Sequence, residues 1–392
     1  MLTTLSRAVR SIRRVRHFVT VLAVLALLIP TLEFSSTASA ANSTWTPSSS
    51  FSDAFFSDVS CVTSSFCAAV GSGGLAVTYN GSSWSGVTGL DPNGSFGTVD
   101  CVTTTYCVAP DGYGHEGVYN GSSWSLEPTT FDGSSSCTST SYCIGAIWSG
   151  SYETWAIYNS GSWTTQIGSN QLPQDIATYV ESAISCASSS FCALALQIPQ
   201  LLIYNGDGWS APVDISSGAN ESANSVSCAP NTAFCVAVTP GFTDGYSWTY
   251  ANGSWGNAVT LTGEPLEKVS CATTTFCVAV SVNGDALVYN GQSWGAPTVV
   301  ASAALVGVSC PTTTFCAAVD DLGDTFIYRA KATSTTTTTT LPPTTTTTLP
   351  PTTTTTTLAK TKPVKKTITC HKRSKVLKRT GINPKCPTGF KK

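Results

Sequence analysis

The chain has 392 residues, of which 42% are hydrophobic and 11% are charged, and it holds 16 cysteines. Its formal net charge of −2 conceals a division: residues 41–330 hold 21 Asp and Glu against Lys268 and Arg329, whereas residues 331–392 hold 13 Lys and Arg and no acid. The acidic part has almost no cations with which to neutralise phosphates, which excludes nucleic acid as its partner.

The first 40 residues have the pattern of an export signal. Five arginines within residues 7–16 precede an apolar run over residues 18–32, and the tripeptide A-S-A at 38–40 supplies a cleavage site. A transmembrane anchor would need about 20 apolar residues, and Pro30 interrupts this run. We therefore predict that residues 1–40 are a secretory signal peptide and that the protein is extracellular.

A repeated pattern fills residues 41–330. Each copy has a V-S-C-like tripeptide, a short Ser/Thr turn, an aromatic-Cys pair and, in most copies, an aromatic-Asn-Gly-x-Ser-Trp turn. The first cysteines of the seven copies are Cys61, Cys101, Cys137, Cys186, Cys228, Cys271 and Cys310. A period of roughly 40 residues with alternating apolar positions is typical of the four-stranded blades of a β-propeller. The sequence therefore predicts an all-β fold, a seven-bladed propeller with strands A to D in each blade.

The 14 cysteines of the repeats flank the turn between strands A and B. Residues that face each other across an antiparallel hairpin approach to about 4.5–5.5 Å, which is within disulfide reach. Zinc is a poorer explanation, because the C-x5-C spacing has no local His. We predict one bridge in each blade and one near the C-terminus: Cys61–Cys67, Cys101–Cys107, Cys137–Cys143, Cys186–Cys192, Cys228–Cys235, Cys271–Cys277, Cys310–Cys316 and Cys370–Cys386.

The two ends of the repeat region complement each other. The last repeat reaches Tyr328 and stops without its Trp strand, whereas residues 42–45 read N-S-T-W and match the N-G-S-S-W end of a repeat. We predict that the strand containing Trp45 completes blade seven, because such closure leaves only short, protected sheet edges.

The segment G-x-A-x-x-Y-N-G-x-S-W resembles the Asp-box repeats of sialidase-type and related bacterial propellers, although Asn replaces the usual Asp and the turn is one residue shorter. The resemblance covers residues 41–330 and implies the propeller fold. In that family the Asp box is a structural turn, so the resemblance implies no catalytic residue. Sialidases hold the substrate carboxylate with an arginine cluster, and these repeats contain only Arg329, which excludes sialidase activity.

The repeats differ most in the connections from strand B to C and from strand D to the next strand A, which share one face of a propeller. Ligands commonly bind at that face, and this expectation rests on analogy between folds. Aromatic and acidic side chains there could stack on a sugar or anchor a protein. The candidate binding residues are Asp100, Tyr113, His115, Glu116, Trp148, Tyr152, Glu153, Trp155, Phe242, Asp244, Tyr246 and Trp248.

Motifs for catalysis are scarce. A Ser-His-Asp triad would need a histidine, and the repeats contain only His115, in the B–C loop of blade two, where a lone histidine is most often simply solvated. Neither an HExxH motif nor a Walker loop occurs. The acids of residues 320–324 match ordinary turns better than a calcium loop. We expect no cofactor and no metal. The 21 acids nevertheless keep a second hypothesis open, an extracellular glycan hydrolase with paired carboxylates.

The C-terminal part has two sections. Residues 331–358 are threonine with Leu-Pro-Pro punctuation, which predicts an extended linker. Residues 359–392 are basic and resemble short two-Cys C-terminal segments of exported actinobacterial proteins, a resemblance that implies no function. Their charge favours attachment to the anionic cell envelope, with a solvated tail or contact with the acidic repeats as alternatives. The leading hypothesis is a monomeric, secreted, non-enzymatic propeller that binds a glycan or a protein through its loop face.

Overall fold

The computed structural model describes residues 44–111, 113–129, 134–148, 153–159, 162–165, 183–196, 198–216 and 222–330 of the repeat region, and residues 366–372, 375–381, 385–386 and 390 near the C-terminus. The two regions are separate compact units, divided between Thr333 and Ser334. The predicted signal peptide and the predicted linker lie outside the described residues. None of the described segments is a helix with the length and apolar content needed to span a membrane.

Seven antiparallel sheets form the repeat region, which confirms the seven-bladed propeller. The strands are labelled A to D from the centre outwards. The A strands are β2 Phe56–Thr63, β6 Asp100–Thr103, β10 Ser135–Ser139, β14 Ala183–Ser188, β18 Ser225–Cys228, β23 Leu266–Thr273 and β27 Leu305–Thr312. The B strands are β3 Phe66–Gly71, β7 Tyr106–Pro110, β11 Tyr142–Trp148, β15 Phe191–Ala195, β19 Cys235–Thr239, β24 Phe276–Ser281 and β28 Phe315–Asp320.

The outer strands are shorter on average. The C strands are β4 Leu75–Tyr79, β8 His115–Tyr119, β12 Glu153–Asn159, β16 Gln200–Tyr204, β20 Gly245–Ala251, β25 Asp285–Tyr289 and β29 Asp324–Arg329. The D strands are β5 Thr88–Gly89, β9 Trp124–Pro128, β13 Ser162–Thr165, β17 Val213–Asp214, the pair β21 Ser254–Trp255 and β22 Val259–Leu261, β26 Thr298–Val299 and, for blade seven, β1 Thr44–Ser50. Each A strand packs against the A strands of both neighbouring blades, so the seven close into a ring.

The N-terminal strand closes the ring as predicted. Strand β1 pairs antiparallel with β29, and Trp45 lies opposite Tyr328. Their ring centroids are 5.4 Å apart, the same arrangement as the Tyr79–Trp84 pair of blade one at 5.3 Å. The most N-terminal described strand therefore supplies blade seven with the Trp that its own repeat lacks.

The core lies between the blades, where one face of each sheet packs on the next. Between blades seven and one, for example, Val59 and Val77 pack against Phe315, Val319 and Ile327. The aromatic residues of the repeat add a contact at five of the seven seams, where a Phe before the second Cys, or at the matching place, meets the Tyr of strand C in the following blade. Described pairs are Phe66–Tyr119, Phe191–Tyr250, Phe234–Tyr289, Phe276–Tyr328 and Phe315–Tyr79, with centroids 5.5–6.2 Å apart. The repeated aromatic positions thus hold neighbouring blades together.

All eight predicted disulfides are present. In six blades the two cysteines are directly opposite each other in the pairing of strands A and B. The eighth bridge, Cys370–Cys386, belongs to the C-terminal unit, which contains the hairpin of β30 Lys366–Lys372 and β31 Lys375–Gly381.

The end of the propeller that carries the A–B and C–D turns is called the hairpin end. At this end Asn80 accepts backbone N–H bonds from Ser82 and Ser83 through its side-chain oxygen, and Asn120, Asn205 and Asn290 do the same in their own turns. The glycine after each Asn has φ of 93–96°. It also lies against the neighbouring A–B turn, where a Cβ on Gly121 would come within 2.8 Å of Thr105. Glycine is therefore required both for its backbone conformation and for its lack of a side chain.

A ring of hydrogen bonds joins the seven A strands. In six blades the Ser of the V-S-C motif accepts a hydrogen bond of 2.9–3.0 Å from the backbone N–H of the first Cys in the following blade. The last of these, from Cys61 to Ser309, closes the circle. In blade two Asp100 replaces the Ser, and its carboxylate accepts the N–H of Cys137. The Ser of the motif is thus an interblade connection.

Candidate binding surface at the loop end

The opposite end, formed by the B–C turns and the D–A connections, is called the loop end, and it holds nearly all of the acidic residues. Of the 17 Asp and Glu in the described part of the propeller, 15 lie in these turns and connections or in the adjoining ends of strands. Asp100 lies midway along its blade, and Asp207 lies in a hairpin-end turn. The cations are Lys268, near the loop-end side of strand A in blade six, and Arg329, which bonds Tyr79 at the hairpin end. The loop end is therefore strongly anionic.

Large apolar side chains are also exposed at the loop end. Phe242 is 96% exposed, Tyr113 73%, Leu322 62% and Phe55 55%, and Val282 is also exposed. Four of the five lie at the tips of B–C turns, and Phe55 lies in the connection that leads into blade one. Sequence analysis selected Tyr113 and Phe242 and missed Phe55, Val282 and Leu322. An apolar residue at the tip of an otherwise polar turn was the signal that could have found two of them.

In blade two the B–C turn is organised by Asp111. The buried carboxylate accepts the backbone N–H groups of Tyr113 at 2.7 Å and His115 at 3.0 Å, and its second oxygen lies 3.2 Å from Nδ1 of His115. Asp320 holds the B–C turn of blade seven in the same way, by accepting N–H bonds from Leu322 and Asp324. Asp320 and Asp111 thus have the same structural role in their turns.

Asp91 brings a third ligand atom to this turn. Oxygen and nitrogen atoms of Asp91, Asp111 and His115 lie within 4.8 Å of one another, a spacing that a metal ion could bridge. The carboxylate of Asp111 is already engaged by two backbone N–H groups and by His115. Asp91 accepts the backbone N–H of Asn93 at 2.9 Å in its own turn.

Glu116, the second residue of strand C in blade two, lies directly opposite Glu127 of strand D. Partial burial raises the pKa of the Glu116 carboxyl, and the neighbouring charge of Glu127 raises this pKa further. Glu116 is thus a predicted site residue that belongs to a carboxylate pair, the arrangement that glycan hydrolysis would need.

The four candidates of blade five separate into two groups. Phe242 projects from the turn, and Asp244 accepts the backbone N–H of Gly263 at 2.7 Å. Trp248, however, is only 2% exposed and packs in the core between blades four and five, with Tyr246 beside it at 6.3 Å between centroids. The prediction of Trp248 as a loop-face residue is wrong, because strand C already begins at Gly245 and its alternation turns this side chain inwards.

The blade three candidates are described only in part. The backbone places Trp148 at the end of strand B, and Glu153 and Trp155 at the start of strand C, so all three positions are at the loop end. Their side chains, and Tyr152 altogether, lie outside the described residues.

Asp100 belongs to a charged group on the A strands. Burial raises the pKa of its carboxyl to about 7, the hydrogen bond from Cys137 opposes the shift, and the charge of Asp58 adds to it. Asp58 accepts the N–H of Val99 at 3.1 Å, and burial raises its pKa while the positive charge of Lys268 lowers it. Asp58 and Asp100 thus act mainly as hydrogen-bond acceptors between neighbouring blades. Asp58 was not predicted as a site residue, because the other six repeats lack an acid at its position.

A cleft of about 440 Å³ opens beside the closing strand, between residues 47–50 and 300–302. Phe326 and Asp324 complete its lining. A single carboxylate lines this cleft, so it does not offer the pair of acids that a glycan hydrolase uses.

No protein-family model matches the chain, and no curated protein matches it either. Among solved structures, a chain described as YCF48 bound to D1 peptide is similar, with a TM-score of 0.57 and 13% sequence identity. The similarity covers 73% of this chain and 97% of that chain. At this identity the comparison shows a shared propeller fold and nothing about individual residues.

Proposed function

We propose that the protein is a non-enzymatic recognition module that binds a protein ligand through the loop end of its propeller. The observation that carries the proposal is the exposure of Phe242, Tyr113, Leu322 and Phe55 at one end of the molecule. Isolated apolar residues are common on surfaces, but several large ones at the same end indicate contact with another molecule. A propeller of the same fold has been solved with a D1 peptide, which supports a peptide-binding role for this architecture.

Peptide display on the immobilised full chain tests this function, with a glycan array run in parallel. We expect selected peptides whose binding is weakened at least tenfold by Phe242→Ser combined with Tyr113→Ser, since anchor residues each contribute about 1–2 kcal/mol or more. The hairpin-end variant Asn120→Ala should bind normally. Selection of glycans alone, or of ligands indifferent to the loop-end substitutions, would refute the proposal.

The proposal places the protein outside the cell, attached to the envelope by its C-terminal segment. The 13 Lys and Arg after residue 330 support this, since exposed cations are attracted to anionic surfaces and released by salt. The full chain should fractionate with cells and elute at high salt, whereas a chain that ends at Ala330 should appear in the medium. Equal retention of both forms would mean that the propeller itself is the attachment site.

A glycan hydrolase is the second candidate function. Among the acids of the loop end, the pair Glu116 and Glu127 favours it. A raised pKa at one carboxyl beside a second carboxyl suits general acid catalysis. The hypothesis requires turnover of a cell-wall or host glycan that is lost in Glu116→Gln. Turnover that persists in this variant would exclude the pair.

A further inference from the structure

The loop ends of four successive blades, five, six, seven and one, form one connected surface. Asp244 of blade five accepts the N–H of Gly263, and Asn283 of blade six donates to the carbonyl of the same Gly263. Between blades six and seven, the connection over residues 300–304 bonds both turns: Ala301 donates to the carbonyl of Gly284, and Ala304 accepts the N–H of Asp321. Between blades seven and one, the connection over residues 51–55 does the same: Phe51 donates to the carbonyl of Gly323, and Phe55 accepts the N–H of Ser72. These hydrogen bonds join the backbones of the four turns into one surface.

Apolar and acidic side chains alternate along this surface, which we call the four-blade surface. The turns and connections of the four blades present Phe242, Val282, Leu322 and Phe55 in that order, and all four are exposed. Carboxylates lie within a few residues of each one along the chain: Asp244, Asp285, Asp321 with Asp324, and Asp53. Val299, opposite Asp285 at the end of strand D in blade six, is also exposed. The cations in the described part of the propeller are Lys268, in strand A of blade six, and Arg329, which donates to the Tyr79 hydroxyl at the hairpin end.

We propose that the four-blade surface binds an extended, lysine- or arginine-rich segment of a partner protein with apolar residues interspersed among the cations. This inference rests on the proposed function and names the chemistry of its ligand. The apolar residues would supply anchors, which carry most of the free energy of binding in protein interfaces. The carboxylates would pair with the cations and exclude acidic partners by repulsion.

Charge complementarity selects this partner over the other occupants of an apolar surface. An anionic membrane or a nucleic acid would be repelled by the carboxylates. A second copy of the same end would bring the same charges together, so self-association through this surface is disfavoured. A neutral apolar peptide could use the four apolar residues but would leave the carboxylates without partners.

The test uses the full chain and three synthetic peptides of about 14 residues with the same spacing: Lys alternating with Leu, Ser with Leu, and Lys with Ser. Binding is measured by fluorescence anisotropy at low and high salt. We expect the Lys/Leu peptide to bind at least tenfold more tightly than either other peptide, since both kinds of contact contribute. High salt should remove most of the difference in affinity between the Lys/Leu and Ser/Leu peptides, because exposed charges are screened over about 8 Å at physiological ionic strength and over shorter distances at high salt.

Two double variants test whether the Lys/Leu peptide binds at the four-blade surface. Leu322→Ser with Phe242→Ser should weaken Lys/Leu binding about tenfold at any salt concentration. Asp321→Asn with Asp324→Asn should weaken it about threefold at low salt and leave binding at high salt unchanged. Val87→Ser, at an exposed valine outside the loop end, is the matched control and should bind as the original protein does. The apolar side chains that are changed are exposed, whereas Asp321 and Asp324 are half-buried, so circular dichroism melting verifies that the variants fold.

The outcomes separate this inference from the proposed function. Equal binding of Ser/Leu and Lys/Leu, or binding indifferent to both loop-end variants, overturns the inference. If display on the same protein nevertheless selects peptides that depend on Phe242 and Tyr113, the protein-binding function stands and only the cationic partner is wrong. If no selected ligand depends on the loop end, both fail.

Discussion

The hairpin end and the loop end of this propeller are made from the same seven repeats, yet they follow different rules. At the hairpin end, two Ser or Thr hydroxyls hydrogen-bond to each other across the turn between strands A and B in six blades, with the oxygens 3.1–3.3 Å apart. Four blades share the turn between strands C and D in which an Asn side chain accepts backbone N–H bonds. At the loop end the turns differ from blade to blade in length, charge and apolar content. The repeated sequence therefore constrains the turns at the hairpin end and leaves the turns at the loop end free to vary.

The largest expected effect comes from Asp100, the residue that departs from the hydrogen-bonded ring. Its pKa is raised to about 7 in the folded protein, above the ordinary value of 3.8. Folding therefore favours the protonated form, and the associated stability is complete below pH 3.8 and is lost as pH rises towards 7. Asp100→Ser restores the residue of the other six repeats and should stabilise the protein at pH 8 by on the order of 4 kcal/mol, the free-energy equivalent of a pKa raised from 3.8 to about 7.

Thermal melting at pH 4 and pH 8 measures this effect. The difference between Asp100→Ser and the original protein should be much smaller at pH 4, where the carboxyl is largely protonated in the folded state. A stabilisation equal at both pH values would show that ionisation is not its cause. Ser270→Asp introduces the same change in blade six, where Lys268 is close in sequence, and should be destabilising at pH 8.

The disulfides give the next largest effect. Cys271→Ala with Cys277→Ala opens a loop of about seven residues, which should destabilise the propeller by about 2.4 kcal/mol in the chain-entropy model. The matched control is Cys370→Ala with Cys386→Ala, which should leave the propeller transition unchanged because that bridge belongs to the separate C-terminal unit. Denaturant unfolding measures both, and equal losses would contradict the independence of the two units.

Two glycines with positive φ, one at each end, allow the tolerance of the two ends to substitution to be compared directly. Gly121 at the hairpin end has φ of 96° and lies against Thr105, whereas Gly73 at the loop end has φ of 70° and nothing within 4 Å of an added Cβ. Gly121→Ala should cost about 2 kcal/mol, from backbone strain and a steric clash, and Gly73→Ala about 1 kcal/mol from strain alone. Chemical denaturation should reproduce this order. The reverse order would mean that the hairpin end tolerates substitution better than its crowding indicates.

The smallest expected effect is the stability of the double variant Phe242→Ser with Leu322→Ser. Because both side chains are exposed, the free energy of unfolding should change by less than about 0.5 kcal/mol even where ligand binding is lost. Urea unfolding measures this difference. A loss of more than about 2 kcal/mol would show that these residues belong to the folded core of their turns.

The sequence was sufficient to predict features that depend on one repeat alone or that become visible when the repeats are compared. The disulfides follow from the spacing of each Cys pair, and closure by Trp45 follows from the Trp that the last repeat lacks. The interblade hydrogen bonds were not predicted, because the distance from Ser60 to the N–H of Cys101 depends on how one blade rotates on the next. The period of a repeat contains no information about that angle.

The candidate site was predicted less completely for a related reason. Tyr113 and Phe242 were found because they depart from the repeat, and both are exposed. Trp248 departs from it too, but strand C of blade five starts earlier than the pattern indicated, which turns the ring into the core. To predict that the loop end is anionic, one must know which turns lie at that end. This depends on the topology of the strands more than on the composition of the chain.

The order of the cysteines along the chain has a consequence for how the protein acquires its covalent structure. Sixteen cysteines can pair in about two million ways, yet each bridge joins one cysteine to the next cysteine in the chain. A chain that emerges from its N-terminus into an oxidising compartment can form every bond as soon as the second thiol arrives, before any later thiol is present to compete. The correct set of bonds can therefore be reached by an oxidase alone, with no shuffling of mispaired bridges by an isomerase.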